Sequence, residues 1–84
     1  MRVLGKTLEC KVRLNGISDV KEFCKMCSDF YADIDVKSGR YTVDAKSFMG
    51  LLSLSLDKPV DVVANFKEER DVDKFKELVK QYII

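Results

Sequence analysis

Between Thr7 and Phe30 the apolar residues change their spacing from two to three and four, and that switch leaves few folds open. Leu8, Cys10, Val12 and Leu14 alternate with Glu9, Lys11 and Arg13, the pattern of a strand with one buried face. Asn15-Gly16 ends the run. Val20, Phe23, Cys24, Cys27 and Phe30 follow at helical intervals, so they share one stripe of a helix. A strand wet on one side, next to a helix apolar on one side, calls for two layers: a sheet with helices on a single face.

The rest of the chain repeats the theme. Ala32, Ile34 and Val36 alternate with Asp33 and Asp35. Lys37-Ser38-Gly39-Arg40 reads as a tight turn, with Gly39 free to take a positive φ, and Tyr41 and Val43 belong to the returning strand of a hairpin. Ser47 precedes Phe48-Met49-Gly50-Leu51-Leu52, a short helix of about two turns. Asp57-Lys58-Pro59 is a loop, Val60, Val62, Ala64 and Phe66 form a fourth strand, and Val72, Phe75, Leu78, Val79 and Tyr82 take helical spacing. The expected order is β-α-β-β-α-β-α, an α+β class. Ser18 is the expected N-cap of the first helix, with Asp19 and Glu22 suited to its positive end. Residues Met1 to Lys6 either extend the first strand or fray.

The chain has 84 residues, which makes residues 1–84 one domain. A domain this small buries only about 60% of the surface its unfolded chain exposes, so every periodic apolar position is expected in the core. Hydrophobic residues at 46% and charged residues at 35% fit a folded chain rather than a disordered one.

Composition also excludes chemistry. The chain contains no histidine, which removes Ser-His and Cys-His catalysis, histidine metal sites and phosphohistidine formation together. A net charge of +1 argues against binding driven by nucleic-acid phosphates. No apolar run approaches the roughly 20 residues of a membrane span, and no signal-peptide pattern opens the chain. Cys10, Cys24 and Cys27 are expected as free thiols in a reducing cytoplasm. Cys24-Lys25-Met26-Cys27 has C-x-x-C spacing, but its cysteines fall on the core stripe with few further ligands, so they read as small hydrophobes. No metal, cofactor or catalytic residue is expected, and the chain is read as a non-enzyme.

The segment Asp44-Ala45-Lys46-Ser47-Phe48-Met49-Gly50-Leu51-Leu52-Ser53-Leu54 resembles the regulatory-serine region of HPr, the phosphocarrier of the bacterial sugar phosphotransferase system. The Gly16-Ile17 pair and the Ser38-Gly39 hairpin are similar too, and the likeness runs from about Leu8 to Tyr82. It implies an open-faced sandwich with a four-stranded antiparallel sheet, order 1-4-2-3, and three helices on one side. It also implies a role for Ser47 as a phosphorylation site, and for the helix after it as part of a docking surface. Because a helix buries only one stripe, Phe48, Met49, Leu51 and Leu52 cannot all face inward. Leu51 and Phe48 are expected in the core, Met49 and Leu52 on the outside, and Phe48, Met49 and Leu52 are the candidate partner contacts.

The likeness fails at one place. Family members carry a phosphorylatable histidine just after the Gly-Ile pair, then x-Arg-Pro. Here Ser18-Asp19-Val20-Lys21 follows, and the loop is about two residues short. The expectation is therefore an HPr-like cytoplasmic bacterial regulator or adaptor, without phosphotransfer chemistry, acting on proteins such as an HPr kinase or a transcriptional regulator. It would resemble the catabolite-repression relatives of HPr, which lack the histidine and keep the serine. The alternatives are a phosphocarrier with a non-histidine acceptor, Asp19 or Ser18, and an interaction module unrelated to sugar transport.

Overall fold

A computed structural model describes residues 1–84. Its elements are β1 (Arg2–Leu4), β2 (Thr7–Val12), α1 (Gly16–Ser28), β3 (Ala32–Ser38), β4 (Tyr41–Asp44), α2 (Phe48–Leu52), β5 (Val60–Phe66) and α3 (Glu69–Val79), which runs into a 3-10 turn at Lys80–Tyr82. All strand pairs are antiparallel, in the order β1-β2-β5-β3-β4. Four of these strands reproduce the expected 1-4-2-3 arrangement. The fifth corrects it: residues Arg2–Leu4 are a separate edge strand.

The added strand follows from one glycine. Leu4 pairs with Thr7 across the two-residue loop Gly5-Lys6, and Gly5 has φ +61°, a value that side chains with a Cβ rarely adopt. Gly39-Arg40 closes the β3–β4 hairpin in the same way, with Gly39 at φ +60°. Glycine at the first of two loop positions suits the turn whose twist matches its strands.

The core holds 22 buried residues, all hydrophobic. Leu8, Cys10 and Val12 of β2, Ala32, Ile34 and Val36 of β3, and Val60, Val62, Ala64 and Phe66 of β5 line one sheet face. Glu9, Lys11, Asp33, Lys37, Asp61 and Asn65 alternate with them and stay exposed. Phe30, Phe66 and Phe75 meet at centroid distances of 5.3 to 5.8 Å, near-perpendicular or tilted, the geometry that aromatic quadrupoles favour.

Several local expectations need correction. β2 stops at Val12, although Leu14 is still buried. The N-cap position of α1 is Asn15, not Ser18, and the Asn15 side chain makes no capping hydrogen bond. The Asn15 N–H donates to Asp19 Oδ2 at 2.8 Å, so Asp19 reaches back to the cap and satisfies a backbone donor that the first turn leaves free. α1 ends at Ser28, where the Asp29 and Phe30 N–H groups tighten onto Met26 and Cys27, and Phe30 enters the core from the loop. α2 has five residues, nearer one turn than two. Leu78 is 47% exposed, because it flanks the stripe set by Val72, Phe75 and Val79. Past α3 the chain returns to the sheet. Ile83 bridges Val12, Arg13 N–H donates to Tyr82 O at 2.9 Å, and Ile84 N–H donates to Lys11 O at 3.4 Å.

Candidate functional site

A five-residue helix cannot persist alone in water, so α2 depends on what holds its ends. Ser47 is extended and its Oγ accepts the Gly50 N–H at 3.1 Å. At the other end the Ser53 Oγ donates to Gly50 O at 2.6 Å, and the Ser53 N–H bonds the same carbonyl. The lead-in is tied down as firmly. Ala45 is fully buried and its N–H donates to Ile34 O at 2.8 Å. Asp44 Oδ1 accepts the Lys46 N–H at 2.8 Å, and Lys46 Nζ donates to Phe30 O at 2.8 Å. That lysine therefore joins the approach to Ser47 to the end of α1. Gly50 permits a close approach: a Cβ there would lie 3.1 Å from Ser47 Oγ and 3.3 Å from Val43 Cβ, so these neighbours would have to give by a few tenths of an ångström.

The helix divides as its sequence suggests. Leu51 is fully buried and Phe48 packs partly against the core. Met49 is 74% and Leu52 38% exposed, and Ser47 is exposed beside them. Leu52 also lines a shallow cleft of about 500 Å³ between α2 and the start of α1, with Arg13, Ile17, Val20 and Leu56 on its walls. Ile17 was not among the candidates read from sequence. It is an exposed apolar residue lying off the buried stripe of α1, and that offset was its signal. Asn15 and Gly16, at the start of α1 where the phosphorylatable histidine of HPr would be sought, line the same cleft.

The thiols lie elsewhere. Cys10 and Cys27 are buried and Cys24 is half-buried at the flank of the stripe. Burial, reinforced by the Asp61 carboxylate, pushes the Cys10 thiol from 9.0 up to about 11, despite the opposing pull of the N-terminal amine. Burial likewise drives the Cys27 thiol well up, with Cys24 adding to it. Only a thiolate is nucleophilic. A disulfide-exchange reagent at pH 8 should therefore modify Cys24 first and reach Cys10 and Cys27 only as the fold opens. Mass mapping of the adducts checks this, and Cys27 reacting as fast as Cys24 in native protein would contradict it.

The family model for the "PTS HPr component phosphorylation site" matches residues 19–81. The chain belongs to the HPr family. Its fold is shared with HPr of Bacillus anthracis, at 22% identity and TM-score 0.68, over 93% of this chain and 98% of that one. It is shared too with HPr-C-His of Thermoanaerobacter tengcongensis, at 23% identity and TM-score 0.66, over 90% and 91%. The catabolite-repression protein Crh of Bacillus subtilis follows at 24% identity and TM-score 0.62, over 87% of each chain. No curated protein is recognisably similar in sequence. The HPr match begins at Asp19 and takes in Ser47 and all of α2, leaving Asn15 and the first residues of α1, Gly16 to Ser18, outside. HPr proteins are phosphocarriers of the sugar phosphotransferase system and work through protein partners. No helix of this member is long and apolar enough to cross a membrane.

Proposed function

We propose that this member of the HPr family is a non-catalytic regulator that docks protein partners through α2, with Ser47 as its switch. The observation that carries the reading is the arrangement at one helix: an exposed serine caps it, and Met49 and Leu52 are exposed immediately beyond. Met suits adaptable protein contacts, and Ile17 and Leu56 extend the apolar surface across the cleft. Crh, named for catabolite repression, has the same fold, and regulation is the role the reading assigns here.

Phosphorylation at Ser47 would add a charge of about −2 next to those apolar contacts while leaving acceptor oxygens for the Gly50 N–H. It should alter docking and leave the fold intact. Ser47→Ala should cost about 1 kcal/mol through the lost cap, read from the shift in a urea transition, and Ser47→Asp should recover most of it. The deciding experiment incubates the protein with an HPr kinase and ATP and maps any phosphate. Binding of purified transcriptional regulators is then compared before and after. Modification at Ser47, with binding that changes and that weakens in Met49→Ala and Leu52→Ala, supports the reading. An unmodified Ser47, with both alanine variants binding like the parent, overturns it.

A further inference from the structure

The outer edge of β1 is unpaired, since β1 bonds only to β2. Which groups face outward follows from the ladder. The Phe66 N–H donates to Lys6 O at 2.9 Å, next to the opposed pair Thr7 and Asn65. Bonded and non-bonded pairs alternate in an antiparallel ladder, so Thr7 turns its own N–H and C=O toward Leu4. The same alternation turns Arg2 toward Glu9 and leaves the Val3 N–H and C=O pointing outward along the free edge.

The side chains on this edge are apolar on both faces. Leu4 is 70% exposed on the open face. Val3 lies opposite Leu8 on the helix side, yet is 42% exposed, because the helical layer does not extend over β1. Met1 and Ile84 are exposed on the same edge. The one charge in β1 is Arg2, opposite Glu9. An exposed apolar edge with free N–H and C=O groups is a template for a further strand.

We propose that this edge is a self-association surface, on which a second copy of the chain lays its own β1 antiparallel to make one continuous ten-stranded sheet. A two-fold axis perpendicular to the sheet keeps both helical layers on the same side. With Val3 opposite Val3 of the second copy, their outward N–H and C=O groups bond reciprocally and the two valines cover each other where the helices do not. Arg2 then faces Leu4 of the second copy and keeps Glu9 as its neighbour. A shift of two residues in one direction would set Arg2 against Arg2, a like-charge pair that destabilises, and a shift in the other would set Val3 against Gly5. The edge is thus self-complementary about Val3, which fits a second copy, and charge and packing select the register.

Sedimentation of the full chain over a dilution series tests this, with circular dichroism confirming that each variant folds. The expected result is a reversible dimer. Val3→Pro removes the outward donor, which an edge strand tolerates, and should leave a folded monomer. Leu4→Arg faces Arg2 of the second copy and should weaken the dimer by about tenfold or more, most at low salt. Met49→Ala, remote from this edge, should leave the dimer as it is. A parent chain monomeric at several hundred micromolar overturns the proposal. So does a dimer that survives in folded Val3→Pro, or one lost in Met49→Ala. Should Val3→Pro fail to fold, Leu4→Arg decides, and an unchanged dimer there rejects the edge.

Discussion

Given phosphoenolpyruvate and the enzyme that charges HPr, this protein should acquire no phosphate that it can pass to a sugar-specific component. The expected effect is total loss of the family's carrier activity. A carrier needs a phosphate of high transfer potential, which the ring nitrogen of histidine supplies, and the chain contains no histidine. The substitutes near the α1 start do not replace it. Ser18 would give a stable ester. Asp19 could give an acyl phosphate, but its carboxylate already accepts the Asn15 N–H at 2.8 Å, and phosphorylation would replace that charged acceptor by an acyl carbonyl, which binds a donor more weakly. The measurement is transfer of radiolabel from phosphoenolpyruvate, with acid and alkali stability of any product. An acid-labile phosphoprotein that discharges to a sugar component would overturn the expectation. Loss of that label in Asp19→Asn would then assign it to the carboxylate.

Among stability changes, Phe75→Ala should be among the most severe. Phe75 is fully buried and meets the rings of Phe30 and Phe66 at 5.4 and 5.3 Å, so it joins α3 to β5 and to the loop that ends α1. Removing a buried phenyl costs about 3–5 kcal/mol, the lost transfer free energy plus a cavity that closes only in part. At about 0.05–0.15 kcal/mol per residue, a domain this size has roughly 4–13 kcal/mol in total. The variant should therefore lose at least about a fifth of its stability and, at the low end, fail to fold. Leu78→Ala on the same helix is the internal comparison. With Leu78 half exposed, it should cost less than about 1.5 kcal/mol. Urea midpoints for the two variants check this, and equal shifts would contradict the packing described for α3.

Most of the sheet was legible from residues because each central strand alternates cleanly and has one wet face. β2, β3 and β5 came from Leu8-Cys10-Val12, Ala32-Ile34-Val36 and Val60-Val62-Ala64-Phe66 in that way. β1 was not legible, since three exposed residues carry no alternation. Only the Gly5-Lys6 loop, a two-residue hairpin signal, marked it. The α1 start was misplaced because a serine at position 18 is a good cap by composition. The backbone turns into the helix earlier, and Asp19 rather than Ser18 satisfies the exposed donor. Leu78 shows the limit of period: helical spacing names a stripe, but the width of the sheet decides whether its flank is covered. At α2 the division of Leu51 and Phe48 from Met49 and Leu52 could be read from the narrowness of a buried stripe. Ile17 could not be joined to them, since that needs the approach of α1 and α2 in space.

β5 occupies the middle of the sheet, between β2 and β3, although it is the last strand in the chain. During synthesis, therefore, the hairpins β1–β2 and β3–β4 can each close on their own, but neither can be joined to the other until residue 66 has left the ribosome. Until then the apolar faces of β2 and β3 have no common partner, and α1 has no complete surface to lie on. The chain condenses late and over contacts distant in sequence, such as Cys10 with Val62, which is the slow route for a domain of this size. The apolar faces of β2 and β3 thus stay uncovered longest in the interval between the emergence of α2 and the arrival of Phe66.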